Sequence, residues 1–222
     1  MTSWKRAIGM TAMFVAVACL SFAAEPGARR GGAVSPEMAK ARQAAATMAD
    51  KYVAKECGLT GEKAEKLCAA LASQREAFTK KMAEARGGGG ADFAALMQER
   101  TKGIEGVVDA NLTGDQAKKA KELLALGLDS SIGALLGAKV EAAKIEQAMP
   151  ILVKCAKAVA ELRAKSQGAP SEEMRTKQQE LRAAAAKELE PIVGAEGAKA
   201  FQESRGGFMG MGGGRGGKKK AE

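Results

Sequence analysis

The sequence predicts an all-α fold of antiparallel helical hairpins with disordered termini, and three observations carry that prediction. Aromatic residues are 4% of the 222-residue chain. A core must therefore be built from Ala, Leu, Val and Met, which suit close helix packing rather than a sandwich or barrel. Apolar residues recur at alternating spacings of three and four through successive long stretches, the pattern of helices that pack in pairs. Short breaks rich in Gly, Pro and Ser separate those stretches and fold neighbouring helices back on each other.

Residues 1–24 read as a secretory signal. Lys5 and Arg6 supply the charged start, Ala7 to Leu20 the apolar run, and Ser21-Phe22-Ala23 a small-x-small cleavage site. The run is short for a membrane span, which needs about 20 apolar residues. A lipoprotein signal with attachment at Cys19 is the alternative reading. Either way the chain is expected to be exported to the periplasm or cell envelope. Losing Lys5 and Arg6 with the signal takes the formal charge from +9 to +7. The stretch from Arg205 to Glu222 holds five basic residues and one acid, +4 of that total. The remaining body is close to balanced, an ordinary solvated surface rather than a nucleic-acid face.

Each element has its own local warrant. Residues 25–35 form a Gly- and Arg-bearing arm with nothing to bury. Ser35-Pro36-Glu37 starts a helix, cap then Pro at the first position, over 36–57 with Gly58 as its stop. The next helix, from Thr60 to Arg86, carries Ala64, Cys68, Leu71, Arg75, Phe78, Met82 and Ala85 on one seam. Gly87 to Gly90 breaks it. A helix from Ala91 to Ala110 answers with Phe93, Met97, Arg100, Ile104 and Val107. Leu112-Thr113-Gly114-Asp115-Gln116 then starts a short helix reaching about Leu126. Thr113 is placed to cap it, and Gln116 to reach back to the Thr113 amide as a capping box. Leu59-Thr60-Gly61-Glu62-Lys63 echoes that line upstream, with Lys63 where the box wants Glu or Gln.

From Val140 to Ser166 the pattern returns with Ala142, Ile145, Met149, Leu152, Ala156, Val159 and Arg163, and Pro150 inside it should kink or split the helix. Ser171 caps the next helix, which carries Met174, Gln178, Leu181 and Ala185 to about Glu190. Residues 191–200 then lie over 111–120, a worn third copy of the motif that shares Gly194, Lys199 and Ala200. Residues 58–128 and 139–203 thus read as two diverged copies of one hairpin unit. Residues 204–222 are a Gly-, Met- and Lys/Arg-bearing tail, expected to be disordered.

Histidine is absent from the chain. The usual general base, the Ser-His and Cys-His nucleophiles and the commonest zinc ligand are missing with it. No phosphate-binding glycine motif is present either. The expectation is a protein that is not an enzyme and takes no cofactor or metal, since Met209 and Met211 in the tail are a poor pair for Cu(I). Three cysteines survive signal cleavage: Cys57, Cys68 and Cys155. In an oxidising compartment one pair is expected. Cys57 with Cys68 are closest in sequence, and Cys68 with Cys155 is the alternative.

The paired Leu-Thr lines, the helices between them and the export signal resemble the LTxxQ family of exported bacterial proteins, the Spy/CpxP-like periplasmic chaperones. That resemblance covers roughly residues 57–126. It implies an ATP-independent chaperone or stress-linked binder of unfolded or partly folded envelope proteins, acting as a homodimer or, with the repeat, as an internal pseudo-dimer. Zinc binding by histidines, found in some relatives, has no counterpart here. Arg75 and Arg100 interrupt the two seams near one level, with Glu76 and Glu99 beside them. Read with Phe78, Met82, Phe93 and Met97, they suggest an open apolar and cationic face for unfolded clients. The contrasting reading is an envelope adaptor that binds a folded partner or an anionic surface through the basic tail. A metal-responsive sensor comes third. No nucleic-acid partner is expected.

Overall fold

The structure is a computed structural model and describes residues 36–87, 92–165 and 171–204. The expected signal, Cys19, the arm to residue 35, the two hairpin turns and the tail from Arg205 lie outside the described residues. Among those residues there are seven α-helices and no strand: α1 (Pro36–Glu56), α2 (Gly61–Gly87), α3 (Phe93–Asn111), α4 (Gly114–Ala125), α5 (Leu128–Gly137), α6 (Ala142–Lys165) and α7 (Glu172–Glu203). No described helix is long and apolar enough to cross a membrane.

The centre is the pair α1 and α5, packed along each other. Small residues allow that close approach, and a methyl added at Gly133 would stand 3.7 Å from the methyl of Ala45. Ala45, Ala49 and Val53 of α1 and Leu128, Ile132 and Leu135 of α5 are all buried. The α2–α3 and α6–α7 pairs are the two expected hairpins. α1 is flanked by α2 and α4, and α5 by α6 and α7.

Both central helices end in the same joint. Gly58 takes a left-handed conformation (φ 69°), its amide donates to the Lys55 carbonyl at 2.9 Å, and the Leu59 amide donates to Ala54 at 2.9 Å. This pair of bonds closes a helix end by returning the chain onto its last turn. At the end of α5, Lys139 (φ 59°) donates to Leu136 at 2.9 Å and Val140 to Leu135 at 3.0 Å. Positions 58 and 59 thus correspond to 139 and 140, a separation of 81. Gly61, Gly114 and Gly194 also take positive φ, at 55°, 53° and 76°.

Two expectations about elements need correction. α5 was not foreseen. Pro150 does not split α6, which runs unbroken from Ala142 to Lys165. Pro150 is exposed, so its missing amide disturbs only the solvent side, while Ile145, Ala148, Met149, Leu152 and Val153 hold the opposite face in the core. α7 consists of two helical segments that meet at a kink at Gly194 (φ 76°, ψ 169°), so the expected end near Glu190 and the glycine of the worn motif fall within a few residues of the observed break.

Candidate functional site

The Leu-Thr motif is built differently from a capping box. Thr113 sits at the N-cap position of α4 in extended backbone (φ −131°, ψ 156°), yet its side chain makes no capping bond. The left-handed turn at Gly114 intervenes between that hydroxyl and the first helical amides. Gln116 does not reach back to Thr113 either. Its Nε2 donates to the Cys57 carbonyl at 2.8 Å, and the Cys57 Sγ donates to the Gln116 carbonyl at 3.6 Å. Lys119 adds a bond from Nζ to the Glu56 carbonyl at 2.6 Å and an ion pair with the Glu56 carboxylate at 3.0 Å. The motif therefore ties the start of α4 to the carbonyl end of α1, where unpaired acceptors and the negative end of the helix dipole favour such donors. Leu112 is buried, Leu59 packs half-buried on the core, and Thr60 is exposed.

The expected Cys57–Cys68 disulfide is not formed. Cys57, Cys68 and Cys155 are free thiols. Cys57 is engaged with Gln116 at the far end of α1, and Cys155 donates to the Leu181 carbonyl at 3.9 Å. Burial raises the pKa of all three above the ordinary thiol value of 9.0. None is therefore poised as a nucleophile.

Arg75 is not on the open face with Arg100. It makes a two-pronged bond to Asp50 of α1, a carboxylate only 1% exposed, and is itself 24% exposed. Neither neighbouring acid is its partner, and Glu99 pairs with Lys81 instead. The reason is the reach of α1, which packs beside α2 up to this level and presents a buried acid that needs a cation. Burial raises the Asp50 carboxyl above 3.8, opposed by Arg75 and reinforced by the nearby charge of Asp129 on α5. At Arg75, burial acts to lower the pKa, but the bonds and charge of Asp50 outweigh it and the guanidinium stays charged. Asp50 was not foreseen, because nothing in the local spacing of α1 signals a partner on another helix.

No described residue between Leu71 and Val108 is buried. Phe78 and Met82 on α2, and Leu96, Met97 and Arg100 on α3, are half-buried, while Phe93 is 44% exposed. The Arg100 guanidinium lies over the Phe78 ring, 5.7 Å from its centroid, within the range of a cation–π attraction. Lys81 and Glu99 cross the rim as an exposed ion pair. Five of the six expected seam residues are thus brought to one stretch of the α2–α3 pair, with Arg75 removed from it and Leu96 added. The α6–α7 hairpin gives the contrast. Val159, which stands 81 positions beyond Phe78, and Met174 in the first turn of α7 are both buried, at 8% and 6% exposed. One hairpin is sealed and the other is open along its apolar seam.

No group of three or more acidic or cysteine side chains is placed to hold a metal ion among the described residues. The chain matches no family model, no curated protein and no solved structure.

Proposed function

We propose that this chain is an exported, non-catalytic, ATP-independent chaperone of the LTxxQ type, which holds unfolded envelope proteins on the distal seam of α2 and α3. The observation that carries this reading is the open seam of Phe78, Met82, Phe93, Leu96 and Met97, flanked by Arg100. Half-buried apolar side chains grouped around an exposed Phe93 and mixed with charge suit an interaction surface. Flexible methionines and a cation suit clients of varied sequence. Charge draws the unfolded chain in, and apolar contact then holds it. The recurring joint of α1 and α5 supports two diverged hairpin units within one chain, a pseudo-dimer with one open and one sealed hairpin. The signal-like residues 1–24 support export.

Light scattering of an unrelated aggregating client tests the proposal. Wild-type protein should suppress aggregation at low salt, and the pair Phe93→Ser and Met97→Ser should lose most of that suppression while the melting temperature holds. The wild type failing to suppress would overturn the chaperone reading. The +4 charge of residues 205–222 favours a second reading, an adaptor held on polyanions by its tail. Deleting those residues should leave suppression by the helical body intact. Loss of all binding on deletion would decide for the adaptor.

A further inference from the structure

The α2–α3 pair is joined to the rest of the helices through a short base. Leu67 and Leu71 on α2 and Val108 on α3 are the buried residues there, and Arg75 is the next tie one turn further out. At the same level α3 contains two glycines, Gly103 and Gly106, in the interior of a regular helix. Glycine there weakens a helix by about 0.5–1 kcal/mol relative to alanine, and paired small residues are recognised sites of bending. Gly103 has a packing role: a methyl at that position would stand 1.8 Å from the Gln74 Nε2, so its absence lets the Gln74 side chain cross α3. Gly106 has none, because an added methyl would meet no atom within 4 Å.

The sealed hairpin again gives the contrast. In the register that lays 191–200 over 111–120, the positions of Gly103 and Gly106 carry Ala183 and Ala186, both good helix formers, and 81 positions beyond Asp50 and Arg75 stand Ser131 and Ala156. Helical glycines and a buried ion pair occur together at the base of the open hairpin; the sealed one has neither at these positions, and the breaker it carries there, Pro150, lies on its other helix, α6, with its ring on the solvent side. We infer that α2–α3 is a hinged arm, which bends in α3 at Gly103 and Gly106 and is set at its resting angle by the Asp50–Arg75 pair. The inference deepens the holding role proposed above and rests on it for its purpose. A seam that changes its angle fits more client shapes than a fixed one, and the hinge residues act on the seam without touching the client.

Gly106→Ala separates hinge from scaffold, because the substitution fits the space and favours the helix. In the full-length protein it should raise the melting temperature by a few degrees and slow amide exchange at least threefold across 94–105. Aggregation suppression should fall at least threefold in the same variant. A merely structural glycine would give the first two effects without the third. Arg75→Lys, which keeps the charge and loses the two-pronged bond, should speed exchange across 73–85 and 94–105 while that of α5 and α6 stays unchanged. Unchanged exchange across 94–105 in Gly106→Ala overturns the hinge, whatever the holding assay gives. Slowed exchange with full suppression overturns its role in holding. If wild-type protein holds no client, the proposed function falls, and exchange alone still decides whether the arm is hinged.

Discussion

Gln116 shows how a residue in a recognisable motif can serve a purpose its spacing does not announce. Its amide closes the carbonyl end of α1, fifty-nine positions back, while Thr113 beside it makes no side-chain cap. Gln116→Ala removes the side-chain donor to the Cys57 carbonyl and should cost about 1–2 kcal/mol of unfolding free energy. Thr113→Ala should stay within about 0.5 kcal/mol. Urea denaturation of the two variants checks this, and equal losses would restore the capping box. The buried pair gives a second residue-scale prediction, whose sign follows from burial. Asp50 holds its proton more tightly folded than unfolded even with Arg75 present. The stabilisation linked to that proton is therefore whole below the unfolded value and is lost as pH rises through the folded one. Arg75→Met takes away the opposing cation and widens that window upward. The variant should lose about 3 kcal/mol at pH 7 and recover most of it near pH 4. Asp50→Asn should show no such slope, since it has no carboxyl to titrate. A cost of Arg75→Met that is the same at both pH values would overturn this account.

Elements were legible wherever periodicity is strong and breakers are sharp. α1 ends at Glu56 before Gly58 as expected, Ser171 caps α7 with its Oγ accepting from the Met174 amide at 3.1 Å, and α2, α3, α4 and α6 fall within a few residues of their expected bounds. α5 escaped because Leu128 to Gly137 is ten residues long, apolar on several sides and interrupted by Gly133, so no single face stands out. The seam residues were legible for the same reason as the helices: Phe78 and Met82, and Phe93 and Met97, repeat at four. Leu96 falls off that count and was missed. What spacing does not encode is which seam is covered. Phe78 and Val159 look alike as periodic apolar positions, and only packing distinguishes a half-open side chain from a buried one. Asp50 shows the same limit for charge: its partner is 25 positions away on another helix, and only the α1–α2 contact brings the two together.

At the scale of the whole molecule, the two hairpin units are not separate domains, because the surface each would need to stand alone is used up between them. α1 leads into the first hairpin and α5 into the second, and each buries its apolar face on the other. Ala45, Ile132 and Leu135 have no exposed surface, and Val53 has 1%. Taking α5 away would expose a continuous Ala and Val face on α1. Taking α1 away would also leave Arg75 without its buried acid and Gln116 without its carbonyl. The connection between the units is the turn at Gly127, which is itself exposed and left-handed (φ 63°), so the chain can be opened there without removing a core side chain. Fragments 36–126 and 128–204 should therefore fail to unfold cooperatively when each is alone. Mixed at equal concentration, they should associate and regain the helical circular dichroism and one melting transition, lowered and concentration-dependent as expected for two chains in place of one. Cooperative melting of fragment 36–126 alone, at the temperature of the intact protein, would mean that α1 does not depend on α5. The paired centre would then be a contact between independent domains rather than a shared core.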